Sequence, residues 1–146
     1  MPDAGAGQAA SVPSLGHTPP VAGQHVLYID DDDVMVAMVE RLLQRAGFRV
    51  STSTDPAAAL AKLQAGPEAF DAVVTDFNMP GISGLDVARH IARLRPGLPV
   101  VISSGYLSDS LRAQALQAGV RALMQKENTY EELTTLLLKL LAVPAT

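Results

Sequence analysis

The stretch that decides the fold is VLYIDDDD at residues 26–33. Its first half is an uninterrupted apolar run, which is typical of a strand that is covered on both faces of a sheet. Its second half consists of four aspartates, and an apolar helical pattern begins directly after them. Four further apolar runs alternate with helical patterns along the chain. The predicted strands are His25–Ile29, Phe48–Ser51, Ala72–Thr75, Pro99–Ser103 and Ala122–Met124.

Helical patterns separate these strands and follow the last one. In the first helix, apolar residues recur at intervals of three and four from Met35 to Ala46, and Gly47 supplies the left-handed residue that ends it. Asp55 is predicted as the N-cap of the second helix, which begins with Pro56. The other helices are predicted over Leu85–Leu94, from Ser108 or Asp109 to Gly119, and after Thr129.

The spacing at the start of the fifth helix predicts a capping box, because Glu132 follows Thr129 by three residues. Five strands that alternate with five helices, joined by right-handed crossovers, predict an α/β fold with a doubly wound five-stranded parallel sheet. Ligands bind to such sheets at the carboxyl ends of the strands. We therefore expect the chemistry of the protein at that edge.

Composition limits the classes of function. The chain of 146 residues has the length of one domain, and the lack of cysteine excludes disulfides, zinc–thiolate sites, iron–sulfur clusters and cysteine nucleophiles. The 11 basic residues are scattered and the net charge is −4, so we expect neither nucleic acid nor a membrane as a direct partner. The chain shows no apolar segment long enough to span a bilayer and no signal-peptide pattern, so we expect a cytoplasmic protein.

Residues 1–24 consist mainly of small residues and proline, with Asp3 as the single charged residue. The segment has no strand or helix period and few large apolar groups that could offset the entropic cost of ordering it. We therefore predict a flexible leader or interdomain linker at residues 1–24 and a folded domain at residues 25–143.

Polar side chains stand at the ends of four of the five predicted strands. The aspartates of residues 30–33 follow the first strand, Asp76 the third, Ser104 the fourth, and Lys126 stands just after the fifth. Each of them alone is ordinary in a turn or on a solvated surface. Their coincidence on one edge is informative, because like charges this close raise each other's pKa unless a cation intervenes.

Carboxylates in this arrangement suit Mg²⁺, which is held by one or two carboxylates together with phosphate oxygens. Asp30, Asp31, Asp76 and Lys126 together carry a charge of −2, which one Mg²⁺ neutralises. A carboxylate beside such an ion can accept a phosphoryl group in line, because the metal, the lysine and the hydroxyl stabilise the developing charge. The pattern predicts the formation of an acyl phosphate.

From about His25 to Leu141 the chain resembles a response-regulator receiver domain, and most of all the receivers attached to hybrid sensor histidine kinases. The segments that match are VLYIDDD at residues 26–32, FDAVVTD at residues 70–76, VTDFNMPGISG at residues 74–84, PVVISSGY at residues 99–106, and Lys126. The resemblance implies a flavodoxin-like (βα)5 fold with strand order 2-1-3-4-5. It also implies two-component phosphorelay signalling, in which phosphorylation switches a protein-interaction surface.

The resemblance implies a role for each matching polar residue. Asp76 is the phosphoacceptor, which takes its phosphoryl group from a histidine kinase or a histidine phosphotransfer protein. Ser104 is the switch hydroxyl, and Lys126 binds the phosphoryl group. The implied ligands of Mg²⁺, directly or through water, are Asp30, Asp31, Asp76 and the backbone carbonyl of Asn78. The fourfold aspartate run leaves this register open by one residue.

Two positions depart from the family pattern. Glu127 follows Lys126 where the family has proline, so we expect a trans peptide bond and an altered loop there. Leu123 stands where the family often carries Tyr or Phe as a rotameric switch. Our hypothesis is that Tyr106 partly takes over this role.

Other interpretations stay open. A degenerate receiver would act only as a docking module, which the two departures suggest. A haloacid-dehalogenase-type phosphatase would use Asp30 as its nucleophile, but the chain lacks the later acidic pair of that family, and Asp76 is left without a role. We expect a phosphoacceptor that promotes its own phosphorylation and dephosphorylation, and no enzyme for an external substrate. A stand-alone regulator, a fragment of a hybrid histidine kinase and a weak dimer are all compatible with the sequence.

Overall fold

The computed structural model describes residues 23–142, so nearly all of the predicted leader lies outside the described residues. Five strands alternate with five helices. The strands are β1 (His25–Ile29), β2 (Arg49–Ser53), β3 (Ala72–Asp76), β4 (Val100–Ser104) and β5 (Ala122–Gln125). The helices are α1 (Asp33–Arg45), α2 (Pro56–Ala65), α3 (Gly84–Leu94), α4 (Asp109–Gln117) and α5 (Thr129–Leu141). Single 3-10 turns at Pro67–Ala69 and Lys126–Asn128 precede β3 and α5.

All five strands are parallel, and they lie in the order β2-β1-β3-β4-β5. The predicted α/β fold and its strand order 2-1-3-4-5 are confirmed. β3, β4 and β5 end one residue later than predicted and β2 ends two residues later, because the ladder includes their polar ends. Asp76 pairs with Ser103, and Ser104 pairs with Gln125. Asp76 and Ser104 are therefore fixed by the sheet and are not loop residues.

Hydrophobic side chains cover both faces of the sheet. Successive strand residues point to opposite faces, so Leu27 and Ile29 of β1 join one cluster, while Val26 and Tyr28 join the other. The first cluster includes side chains of α2, α3 and α4, and the second includes side chains of α1 and α5. Every residue of β3 and β4 is buried. Among residues 23–142, no helix has the length and apolar character needed to cross a membrane.

Side-chain caps fix where the helices begin. Asp32 caps α1 by accepting hydrogen bonds from the backbone amides of Val34 and Met35, at 2.9 and 3.2 Å. Asp55 caps α2 and Ser108 caps α4, both within the predicted positions. These caps satisfy amides that have no partner within their own helix.

The predicted capping box at the start of α5 is wrong. Thr129 is already the first residue of the helix, and its hydroxyl donates a hydrogen bond to the carbonyl oxygen of Lys126 at 2.6 Å. The 3-10 turn before α5 brings Thr129 into helical geometry, so its side chain closes that turn and does not cap the helix amides. A complete capping box forms at α3 between Ser83 and Asp86.

The start of α3 lies against the end of β3. A Cβ atom at Gly84 would lie 2.6 Å from the carbonyl oxygen of Asp76 and 3.0 Å from the Cα atom of Phe77. The Gly84 amide also donates a hydrogen bond to the carbonyl oxygen of Phe77 at 2.9 Å. Because the crowded atoms belong to the backbone, a change of rotamer cannot relieve the contact.

Substitution Gly84→Ala is expected to lower the free energy of unfolding by about 1–3 kcal/mol, the usual cost of overpacking. Gly105→Ala is the control, because nothing lies within 4 Å of a Cβ atom there. Denaturant unfolding followed by circular dichroism measures both. Equal unfolding free energies for the two variants would show that the contact at Gly84 has no energetic consequence.

Candidate functional site

Asp30 directly follows β1 and is completely buried. Its amide donates a hydrogen bond to the carbonyl oxygen of Ser53 at 3.1 Å, which places it at the edge of the ladder. Its Oδ2 atom accepts a hydrogen bond from the Tyr28 hydroxyl at 2.8 Å, and its Oδ1 atom accepts one from the Asp32 amide at 3.0 Å. The Lys126 ammonium lies 3.3 Å from Oδ1 and 3.2 Å from Oδ2. Three donors therefore fix the orientation of this carboxylate.

The four aspartates that follow β1 have different environments. Asp30 is buried and Asp31 is exposed, and both offer carboxylate oxygens that lie within 4.8 Å of each other and of Asp76. Asp32 is occupied as the N-cap of α1, and Asp33 is exposed in the first turn of that helix. Within residues 23–142, the acidic cluster therefore contains the first two aspartates of the run.

A single lysine bridges the two buried carboxylates. Asp76, the last residue of β3, is 3% exposed. The Nζ atom of Lys126 lies 3.2 Å from Oδ2 of Asp76 and 3.2 Å from Oδ2 of Asp30. Lys126 belongs to the 3-10 turn after β5, and its side chain is 25% exposed. The structure thus brings the charged residues at three predicted strand ends into one cluster.

The charges within this cluster do not balance. Burial raises the pKa of Asp76, the charge of Asp30 raises it further, and the Lys126 ammonium lowers it by less. Burial would lower the pKa of Lys126, but Asp30 and Asp76 together outweigh this effect, so its pKa is raised. Burial and the charge of Asp30 also raise the pKa of the Tyr28 phenol. The lysine is therefore held charged, whereas the ionised form of Asp76 is disfavoured.

The donor set fits a divalent cation that prefers oxygen ligands. Mg²⁺ binds oxygens at roughly 2.0–2.1 Å in octahedral geometry, so opposite ligands lie about 4 Å apart. The oxygens of Asp30, Asp31 and Asp76 lie within 4.8 Å of one another, which is close to that spacing. The charge of −2 that remains beside Lys126 equals the charge that such an ion neutralises. The residues present are therefore compatible with Mg²⁺.

Ser104 ends β4 at the same edge of the sheet, and it is buried. Its hydroxyl donates a hydrogen bond to the carbonyl oxygen of Tyr106 at 2.9 Å and accepts one from the Tyr106 amide at 3.3 Å. Ser104 and Tyr106 line a cleft of about 710 Å³ between α3 and α4, together with the exposed Asn78. The hydroxyl is thus engaged by the turn that follows β4.

The two departures from the receiver pattern have distinct surroundings. Leu123 lies in β5 and packs, half-buried, against the cluster that includes α2, α3 and α4. Glu127 is exposed in the 3-10 turn after Lys126. The Tyr106 side chain is 77% exposed, so its ring does not belong to the core.

Two polar residues near the site were not identified from the sequence. Tyr28 precedes Asp30 by two residues, and the period of a strand places both on the same face, which is a signal that could have found it. Ser103 is completely buried opposite Asp76, and its hydroxyl has no hydrogen-bond partner among the residues that the structure describes. No pattern in the sequence distinguishes it from the neighbouring Ser104.

Comparison with known sequences identifies relatives. Residues 26–138 match the family described as "Response regulator receiver domain". The transcriptional regulatory protein PrrA of Mycobacterium tuberculosis is 34% identical over 113 residues, which cover 77% of this chain and 48% of that protein. The putative two-component response regulator ARR21 of Arabidopsis thaliana is 34% identical over 95 residues, which cover 65% of this chain and 16% of that protein. The chain thus spans less than half the length of these relatives.

Solved structures show the same fold. The chemotaxis protein CheY4 of Vibrio cholerae is 27% identical, with a TM-score of 0.75 over 82% of this chain and 99% of that chain. The response regulator TrrA of Thermotoga maritima, in complex with Mg(2+)-BeF, is 26% identical, with a TM-score of 0.71 over 80% of this chain and 98% of that chain. From the family match, the relatives and the strand order together, the chain belongs to the receiver domains of two-component response regulators.

Proposed function

We propose that the protein accepts a phosphoryl group on Asp76 from a histidine kinase or a histidine phosphotransfer protein, in a Mg²⁺-dependent reaction that switches a protein-interaction surface. One observation carries the proposal. The buried Asp76 carboxylate ends a central strand with the Lys126 ammonium 3.2 Å away and with oxygens of Asp30 and Asp31 within 4.8 Å. This combination suits acceptance of a phosphoryl group better than it suits a structural ion pair.

The ligands proposed for Mg²⁺ are Asp30, Asp31, Asp76 and the backbone carbonyl of Asn78. When bound, the ion neutralises the carboxylates and the charge on the transferring phosphoryl oxygens. The similarity to TrrA, whose structure is a complex with Mg(2+)-BeF, supports this choice of ion. The spacing of the carboxylate oxygens supports it independently.

The side chains of the site have separate tasks in the transfer. An oxygen of Asp76 forms the new bond to phosphorus while the phosphorus–nitrogen bond of the donor phosphohistidine breaks. Lys126, held charged by its two acidic neighbours, donates a hydrogen bond to an oxygen of the incoming group. Because the ammonium already lies beside Asp76, it needs only a small displacement to do so.

The switch in this proposal begins at Ser104. Its hydroxyl bonds the Tyr106 carbonyl, so it must give up that bond to donate to a phosphoryl oxygen on Asp76. The carbonyl oxygen of Tyr106 then loses its hydrogen bond to the strand end, and only the longer contact of the Tyr106 amide with the Ser104 oxygen, at 3.3 Å, is left. Because Tyr106 lies in the segment between β4 and α4, we propose that its release carries the change to the α4 surface in place of the aromatic residue that Leu123 replaces.

The position of Asp76 argues against a phosphatase of the haloacid-dehalogenase type. That mechanism uses Asp30 as the nucleophile and leaves Asp76 without a role, whereas the buried Asp76 carboxylate lies 3.2 Å from the Lys126 ammonium in the same cluster. The docking-module interpretation differs from the main proposal only in its prediction that Asp76 takes up no phosphoryl group.

The cellular setting is also part of the proposal. We propose a cytoplasmic phosphoacceptor with self-phosphorylation and self-dephosphorylation chemistry, acting on no external substrate. The relatives reported above are named as regulators, so an attachment to a hybrid histidine kinase remains a prediction from the resemblance alone.

Incubation with acetyl phosphate and Mg²⁺ is expected to add one phosphoryl group to the native chain and none to Asp76→Asn, as measured by intact mass. Asp33→Asn is the matched control, since it removes an exposed charge of the same acidic run and should be labelled like the native chain. The adduct should be lost in base. Labelling of Asp76→Asn would contradict the assignment, and a native chain that binds Mg²⁺ but stays unlabelled would favour the docking module.

Without metal, Asp76→Asn is expected to raise the melting temperature at pH 7, because it removes a carboxylate whose pKa is raised above 3.8. A raised pKa in the folded state means that this residue favours folding below its ordinary pKa and disfavours it as the pH rises through the shifted value. The advantage of the variant should therefore shrink in acid, and Mg²⁺ should stabilise the native chain more than the variant. Thermal melts in EDTA and in Mg²⁺, with Asp33→Asn as control, test this; a lower melting temperature for Asp76→Asn in EDTA would refute it.

Tyr106→Ala is expected to leave phosphorylation of Asp76 intact but to reduce the NMR chemical-shift changes that phosphorylation causes in α4 and α5. Tyr130→Ala is the control, because Tyr130 is also an exposed tyrosine but lies in α5, away from Ser104 in sequence. If the shift changes in Tyr106→Ala match those of the native chain, Tyr106 has no part in the relay.

A further inference from the structure

Tyr28 contacts the site but has no role in the proposed reaction. Its side chain is completely buried in the cluster shared with α1 and α5. Its hydroxyl nevertheless lies at the acidic edge, where it donates a hydrogen bond to Oδ2 of Asp30 at 2.8 Å. If only apolar packing mattered at this position, phenylalanine would serve as well, because it has no hydroxyl that needs a hydrogen-bond partner when buried.

The packing of the ring makes the hydroxyl a fixed donor. A tyrosine ring has only two rotatable side-chain bonds, and at Tyr28 the surrounding cluster includes Val26, Val74 and Met124. The position of the hydroxyl is therefore set by the hydrophobic core and not by the polar site. The Asp30 carboxylate is therefore oriented by a hydroxyl whose position does not depend on what the site binds.

Lys126 cannot hold Asp30 in a fixed orientation in the same way. Its ammonium is shared between Asp30 and Asp76 and, in the proposed reaction, turns to the incoming phosphoryl group. Asp30 then keeps the Tyr28 hydroxyl on Oδ2 and the Asp32 amide on Oδ1. These two donors lie on different oxygens, so together they hold the plane of the carboxylate.

We propose that Tyr28 is a positioning residue for the divalent cation, whose hydroxyl holds Asp30 in the orientation that binds the ion. The inference rests on the metal site proposed above. Groups that orient a metal ligand through a hydrogen bond typically change metal affinity by about 10–100-fold when they are removed. Tyr28→Phe keeps the buried ring and removes only the donor.

The main test is the affinity for Mn²⁺, used as a probe of the Mg²⁺ site and measured by electron paramagnetic resonance of the free ion. Tyr28→Phe is expected to weaken binding by about tenfold or more. The matched control is Tyr130→Phe, because this tyrosine is 59% exposed and the variant should bind like the native chain. Thermal melts in EDTA verify that each variant is folded.

A double-mutant cycle separates positioning from general packing. If Tyr28 acts through Asp30, Tyr28→Phe should have little further effect on Mn²⁺ affinity when Asp30 is already changed to Asn. A purely structural loss would weaken binding by the same factor in both backgrounds. That second result would overturn the proposal.

The native chain offers a measurement that does not depend on any change at Tyr28. The sequence has no tryptophan and three tyrosines, and of these Tyr28 is the buried one. Mg²⁺ bound at Asp30 would neutralise the carboxylate that faces the Tyr28 hydroxyl, so its addition should shift the near-ultraviolet tyrosine spectrum. Tyr106→Phe and Tyr130→Phe should retain the shift. A spectrum that stays constant while Mg²⁺ binds would overturn the role of Tyr28.

The outcomes distinguish this inference from the proposed function. A native chain that binds the cation, with Tyr28→Phe binding equally well, leaves the phosphoacceptor function intact and refutes the positioning role. A native chain that binds neither Mn²⁺ nor Mg²⁺ refutes the metal site itself and the role of Tyr28 with it.

Discussion

The contact of one ammonium with two buried carboxylates is the constraint on which the site depends. Asp30 and Lys126 are 96 positions apart in sequence, and each is placed by the end of a different strand. Removing two carboxylates from water is costly unless a cation compensates them, and one lysine compensates only half of this charge. The Lys126 ammonium thus compensates part of the cost of burying Asp30 and Asp76, and the cluster keeps a net negative charge. That charge is what the divalent cation of the proposed function would compensate.

The fold class could be predicted because strands and helices leave separate periods in the sequence. Uninterrupted apolar runs became strands with both faces covered, and Gly47, with a φ of 101°, stands directly after the C-cap of α1. The predicted ends of β3 and β4 were one residue too early. Asp76 and Ser104 are polar, and the type of a residue does not show whether its backbone joins the hydrogen bonds of a sheet. The capping box at Thr129 failed for a related reason, since a 3-10 turn before the helix shifted its first residue.

The candidate site was predicted as a set of strand ends, but its internal geometry was not. The sequence favoured Asp30 and Asp31 and left the register of the aspartate run open by one residue. The structure separates Asp32 from these two, because α1 needs an N-cap, which Asp32 provides. Tyr28 stands in an apolar run of the sequence, so the pattern indicated only a core side chain and not a hydroxyl at the site. The turn bonds of Ser104 depend on the backbone conformation after β4, and composition carries no information about it.

The close approach of Gly84 to the end of β3 has a consequence for the proposed phosphorylation of Asp76. Backbone atoms of Asp76 and Phe77 lie against Gly84, the first residue of α3, so there is little free space on this side of Asp76 for the proposed phosphorylation to move the backbone into. The side of β4 is built differently, because side chains hold the segment after that strand. The Ser104 hydroxyl makes two hydrogen bonds to the backbone of Tyr106, and the Gln125 side chain donates one to the carbonyl oxygen of Gly105 at 3.0 Å. If Asp76 takes up a phosphoryl group as proposed, we therefore expect the segment before α4 to be displaced more than the start of α3.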